Sequence, residues 1–288
     1  MQSNILRTWI LPRNMKERDM KKYMIRCDIE GVSGVVSYEQ ADPSRPEFAF
    51  GQRMFMCDLL ALLNGLNAGG ADEIIVYDEH FYGRNIDIDR LPENVTAICG
   101  KPPYRKDWAG GLDASFSGLI LLGFHSKRNT DELLHHTYEP DIKDLLLNGI
   151  SVGEIGIEAA IAGDYSVPLA MITADSAGVR EAETLVPGVV GVSVKESLWH
   201  SGGACHSAQK TGQMIYDAAA GLARTAAAAK PWKIVNPELQ VIFQSGPYHD
   251  KFKELYNCGD SITITGSTVT ECWAKYWQMK LETQEAMK

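Results

Sequence analysis

The stretch KYMIRCDIEGVSG, residues 22–34, decides the fold. Lys22 to Cys27 is a short, largely apolar run that Asp28, Glu30, Gly31 and Gly34 break at once, so it reads as a strand ending in a turn. Outward from it the pattern recurs. Phe48 to Asn67 is a predicted helix, with Met54, Cys57, Leu60, Leu63 and Leu66 at three-residue steps and Gly69-Gly70 as its stop. Ile74 to Val76 is a buried strand ending in Asp78-Glu79-His80, and Leu119 to Leu122 another ending in Gly123-Phe124-His125. Strands alternating with helices build a parallel sheet. Three strand ends thus deliver polar residues.

Downstream, Asp144 to Val152 alternates around Asn148-Gly149, a hairpin signal. Glu154 opens an alanine-rich helix running to Gly163. Val167 to Ala174 and Val189 to Lys195 add strands, and Ser207 to Ala229 is the longest predicted helix, ended by Pro231. Leu239 to Phe243 and Ile262 to Ile264 read as strands, and Thr270 to Met287 as a terminal helix. The expected fold class is α/β: a mainly parallel central sheet flanked by helices, with a smaller C-terminal α+β portion. Residues 1–20 are expected to be a disordered or appended lead-in and 21–288 the working domain, with 200–235 as the place where it could subdivide.

Composition narrows the class. Of 288 residues, 45% are hydrophobic and 23% charged, enough apolar content for a sizeable core. The net charge of −9 and the lack of a basic stripe beyond residue 30 exclude a nucleic-acid partner, whose phosphates would demand clustered Lys and Arg. The six cysteines include no CxxC pair and read as reduced, buried thiols. The apolar run Ile5 to Leu11 is short and interrupted by Arg7 and Thr8, a poor signal peptide, and nothing approaches the roughly 18 apolar residues of a membrane span. A cytoplasmic location without membrane contact is the expectation.

The chemistry lies at the strand ends, because ligands of such sheets sit beyond the carboxyl edge. Asp28, Glu30, His80 and His125 occupy three such ends, and Glu154 a helix start. Singly, each has an ordinary explanation as a turn, cap or hydrogen-bonded residue. Together, two imidazoles and three carboxylates suit a divalent metal, and zinc accepts both donor types. Manganese and magnesium fit on ligand type alone. Five donors exceed the needs of one four-coordinate zinc with an open position, so a two-metal site with a bridging carboxylate is expected. Asp78 is expected to bind or orient an imidazole. One of His135 and His136 is expected to move protons, and local sequence does not choose between them. His200, Cys205 and His206 fit no standard zinc spacing, and Asp175-Ser176-Ala177-Gly178 reads as a turn.

Asp28-Ile-Glu-Gly-Val-Ser-Gly34, Asp78-Glu79-His80, Gly123-Phe124-His125, His136-Thr137 and Val152-Gly-Glu-Ile-Gly156 occur in order, and together they resemble the D-aminopeptidase family of zinc metallopeptidases. The resemblance runs from about Met20 to the C-terminus. It implies two zinc ions per subunit, held by Asp28, Glu30, His80, His125 and Glu154 with Asp28 bridging, and His136 as the catalytic residue. It further implies cleavage of N-terminal D-amino acids from short peptides or amides, and a ring-shaped homodecamer. Arg26, Cys27, Glu79 and the Phe81-Tyr82 pair depart from the family pattern. The rival functions are a Mn²⁺- or Mg²⁺-dependent phosphoesterase using the same donors and a non-catalytic peptide-binding protein.

Overall fold

A computed structural model describes residues 20–225 and 228–288, so the expected lead-in, apart from Met20, lies outside the described residues. The run at 22–27 forms β1 (Lys22–Cys27), and α1 (Phe48–Ala68) returns the chain to β2 (Glu73–Asp78), parallel to β1 with Cys27 opposite Asp78. β3 (Val95–Ile98) extends the sheet beyond β2, while β4 (Gly118–Phe124) comes back to the other side of β1. This reversal opens a crevice beyond the carboxyl ends of β1 and β4. The sequence motifs sit on its rim.

The Asn148-Gly149 signal forms as predicted, joining β5 (Ile142–Leu147) and β6 (Ile150–Val152) through two residues with φ of 48° and 78°. α2 (Glu154–Asp164), β7 (Leu169–Asp175), α3 (Ser176–Leu185), β8 (Val190–Trp199) and β9 (Gly202–Cys205) then complete a seven-stranded sheet of order β3-β2-β1-β4-β7-β8-β9, parallel except at β9. After α4 (Ala208–Thr225) come β10 (Glu238–Phe243), α5 (Pro247–Tyr256), β11 (Ser261–Thr265) and α6 (Val269–Ala286). β10 and β11 join the hairpin in an antiparallel sheet of order β11-β10-β5-β6. The fold is α/β as expected. The smaller sheet, however, recruits the mid-chain hairpin and is not purely C-terminal.

β1 alternates between two cores. Met24 belongs to one, with Leu119, Ile157, Trp273 and Trp277, whereas Ile25 belongs to the other, with Leu122 and apolar residues of α1 and α4. The predicted three-residue stripe on α1 is corrected. Phe55, Leu59, Leu62, Leu63 and Leu66 are fully buried, at true helical spacing; of the predicted stripe Met54, Leu63 and Leu66 are buried, whereas Leu60 is half-buried and Cys57 exposed. Burying each of these side chains contributes about 1.5–3 kcal/mol, against a few tenths for a surface position, so they set the rotation of the helix. The expectation of buried thiols fails with it. All six cysteines are free, but only Cys27 and Cys272 are buried. The helix from 207 is Ala208–Thr225; residues 226 and 227 lie outside the described residues, and the backbone is not helical at 228–231.

Two helices escape the sequence reading. Asp175 accepts hydrogen bonds from the amides of Ala177 and Gly178, both at 2.8 Å, so Asp175-Ser176-Ala177-Gly178 is the capped start of α3 and not a turn. An Asp followed by small residues suits either. The amides of Tyr248 and His249 at the start of α5 are held by Asp141, more than 100 residues away in sequence. No helix among the described residues is long and apolar enough to cross a membrane.

Candidate metal centre

The backbone of 28–31 is seated against the end of β4. Asp28 N donates to Leu122 O at 2.9 Å, and Gly31 N to Gly123 O at 2.8 Å. A Cβ on Gly31 would lie 1.6 Å from Phe124 O, so only glycine permits this approach. Gly31→Ala is expected to push the loop off β4 and cost about 1–3 kcal/mol or more of stability. Denaturant unfolding beside a wild-type control checks this, and an unchanged midpoint would refute the close packing.

Asp28, Glu30 and His80 form one group and His125, His136 and Glu154 a second, the donor atoms of each lying within 4.8 Å of one another. Asp28 faces both. Its Oδ1 lies 2.8 Å from His80 Nδ1 and its Oδ2 3.4 Å from His125 Nε2. Glu30 Oε2 is 3.2 Å from His80 Nδ1, and Glu154 Oε1 is 3.6 Å from His125 Nε2. His136 Nε2 stands 3.9 Å from Glu154 and 4.0 Å from Glu30. Its ring stacks on that of His125 at 3.9 Å.

Each of the three imidazoles has one nitrogen beside a backbone carbonyl. His80 Nε2 is 2.6 Å from Ala41 O, His125 Nδ1 3.0 Å from Ser126 O, and His136 Nδ1 3.0 Å from Leu134 O. Donation there leaves the other nitrogen, facing the carboxylates, as a lone pair. Lone pairs aimed at carboxylate oxygens repel unless a proton or a metal cation lies between them. The side-chain atoms Glu30 Oε2 and His125 Nε2 are buried without a hydrogen-bond partner among the described residues. The donor set therefore fits a divalent cation, zinc included.

The electrostatics agree. Burial alone would lower the pKa of His80 and His125, yet the carboxylates of Glu30, Asp28 and Glu154 overcome it and raise both well above the usual imidazole value. Burial would raise Asp28, but the imidazoles of His125 and His80 beside it hold it well below the ordinary carboxylate range. Buried negative charge strong enough to retain two imidazole protons is a site that favours cations.

The cavity beside these groups measures about 860 Å³ and is walled by Tyr38, Tyr82, Glu79, Tyr104 and Trp277. A D-aminopeptidase family profile matches residues 20–274, a span that holds all six residues of the two groups. The chain belongs to that family. It is therefore a peptidase, a hydrolase of peptide bonds. A D-aminopeptidase of Bacillus subtilis (strain 168) is 29% identical over 197 residues, covering 68% of this chain and 71% of the relative. The solved structure described as "Zn-dependent D-aminopeptidase DppA from Bacillus subtilis, a self-compartmentalizing protease" shares the fold, with a TM-score of 0.82 at 23% identity over 92% of this chain and 97% of that one.

Other residues fall differently in this D-aminopeptidase family member. Asp78 does not orient an imidazole: its carboxylate accepts from Asn85 N and Nδ2 at 2.6 and 2.9 Å, and from the backbone of His80. The chain leaves the strand at Asp78, so the two side chains no longer share a face. His135 Nδ1 meets Glu132 O and its ring faces His200, away from both groups. His200, Cys205 and His206 are exposed at the β8–β9 end and belong to neither group. Sequence reasoning assigned no role to Glu158, Tyr104, Asp58 or Lys195. The signal for Lys195 was a charge closing an apolar strand, and for Asp58 an acid on the apolar side of a helix.

Proposed function

We propose that this family member removes N-terminal amino acids, D-residues among them, from short peptides or amino-acid amides, with two zinc ions per subunit held by Asp28, Glu30, His80, His125 and Glu154. The carrying observation is the set of fixed imidazoles whose remaining nitrogens face Asp28, Glu30 and Glu154, with the two oxygens of Asp28 turned to different histidines. Zinc bound there supplies Lewis acidity, which polarises a carbonyl and lowers the pKa of water. The chain supplies the rest. His136 is the proton carrier to the departing amine nitrogen, because its side chain is 21% exposed to the cavity while His80 and His125 are 3% and 1%. Tyr38, Tyr104 and Trp277 line the cavity.

We assign this activity to residues 21–288 as one domain; α4, within 200–235, packs into the same core as α1 and the central sheet, which supports no division there. A homo-oligomer, a decameric ring in the finer form, is part of the proposal, as is a cytoplasmic location, which the six free cysteines support. Peptidase membership favours peptide and amide bonds over phosphate esters, and turnover over mere binding.

The test combines stripped and zinc-restored protein with a panel of D- and L-aminoacyl amides, dipeptides and phosphate esters. Peptide or amide turnover that vanishes on chelation and returns with zinc supports the proposal; turnover of phosphate esters alone, or none, refutes it. Zinc uptake must also displace the protons held by His80 and His125, whose pKa values are raised. Affinity is therefore expected to weaken as pH falls below those values, by about tenfold per unit for each proton displaced. Titration calorimetry in buffers of differing ionisation heat measures that release.

A further inference from the structure

Lys195 lies on β8, separated from β1 in the sheet by β4 and β7, and its side chain is fully buried. Its Nζ reaches across the carboxyl edge to the loop after β1. There it donates to Glu30 O at 2.5 Å, to Val32 O at 3.0 Å and to Val35 O. An ammonium has three protons, and three carbonyls from a six-residue span take them all. Asp58 of α1 holds the same loop, accepting from Ser33 N at 2.8 Å and Ser33 Oγ at 2.9 Å. A buried cation is costly, and an apolar side chain of similar length would fill the space without that cost. What the lysine supplies is the convergence of the three carbonyls.

The two groups of candidate ligands differ in their dependence on that loop. Asp28 Oδ1 accepts from Ile29 N, and His80 is held by Ala41 O. Glu30 is the exception: no backbone amide holds its carboxylate, whose Oε2 faces only His80 Nδ1, at 3.2 Å, so its place is set chiefly by the backbone beneath it. In the second group, His125 is held by Ser126 O, His136 by Leu134 O and Glu154 by Tyr138 N at 2.7 Å, none of them on the 30–35 loop.

From this geometry we infer that Lys195 is a positioning residue for one of the two metal sites, setting the Glu30 carboxylate through the loop backbone while leaving the His125 and Glu154 site untouched. The inference rests on the two-zinc reading above. It also separates geometry from charge. If Lys195 acted only as a nearby positive charge, removing it would tighten zinc binding; if it positions Glu30, removing it weakens zinc binding.

The experiment is a zinc competition titration against a chromogenic chelator on the full chain, resolving two stepwise affinities in wild type, Glu30→Gln, Lys195→Met and Lys195→Gln. Glu30→Gln identifies the step belonging to its own site. Lys195→Met is expected to weaken that same step by about 10- to 100-fold and to leave the other within about twofold. Lys195→Gln, which keeps two donors, is expected to fall between and carries the test if the Met variant does not fold. Tightening of either step, equal weakening of both, no change, or loss of the fold in both variants overturns the inference. Failure of the wild type to bind two zinc ions overturns the two-zinc reading instead.

Discussion

His136→Ala is expected to lower kcat on a peptide or amide substrate by about 100- to 10,000-fold while the zinc content of the protein stays at the wild-type level. His136 Nε2 points between Glu154 and Glu30 at 3.9 and 4.0 Å, beyond hydrogen-bond reach of either, with the ring held by Leu134 O behind it and the edge of Tyr38 beside it. An imidazole so held can take a proton on the cavity side and release it to an amine nitrogen without turning. The stack on His125 constrains it further. The geometry also allows the alternative that His136 is a metal ligand, since its nitrogen lies in the second group of donors. Metal analysis beside kinetics separates the two. Loss of one zinc in parallel with activity would make His136 a ligand and sink the proton-transfer role. Retained zinc with a lost limb in the pH profile supports it.

How much of this was legible in the sequence depends on whether the signal was local. β1, β2, β4 and the Asn148-Gly149 hairpin were legible because apolar runs closed by polar residues or a two-residue turn carry their own signal. The five proposed ligands were legible because each sits at or just beyond the end of such an element, and the topology gathers them. The choice of His136 over His135 was not. Adjacent residues differ only in which way the backbone turns, and at Leu134 the φ is +50°. The face of α1 was misread because apolar residues lie on more than half its circumference, and only the packing against α4 decides which are inside. At Gly65 that packing is close, an added Cβ lying 2.4 Å from Tyr216 O. The partners of Lys195 and Arg26 could not be read at all. Their contacts span 53 to 165 residues of sequence and no periodicity encodes them.

Arg26→Met is expected to destabilise the protein by about 3–5 kcal/mol near pH 7, the usual cost of leaving buried charge unpaired. Arg26 is fully buried in β1, where its guanidinium meets Glu158, donates to Tyr104 Oη and Ala109 O at 2.6 Å each, and lies 3.7 Å from Glu79. Tyr104 Oη in turn contacts Glu79 at 2.7 Å and Glu158 at 3.2 Å. Arg26 and Glu79, two of the departures from the family pattern, thus belong to one ion cluster at the cavity wall, to which Glu79, Tyr104 and Glu158 contribute. The sign of the pH dependence follows from Glu79. Burial already raises its pKa, and Arg26 is the chief opposing influence. Without Arg26 it rises further, so the folded variant holds a proton that the unfolded chain gives up above its ordinary pKa. The deficit is therefore expected to be largest at neutral pH and to narrow as pH falls toward 4.5, the reverse of a protein losing a salt bridge in acid. Urea unfolding of wild type and Arg26→Met at pH 5 and pH 7 measures it. The double variant Arg26→Met with Glu158→Gln removes one stranded carboxylate with its partner and is expected to recover part of the loss. A single variant as stable as wild type, or a deficit that grows in acid, would show that Arg26 is not what keeps these carboxylates buried.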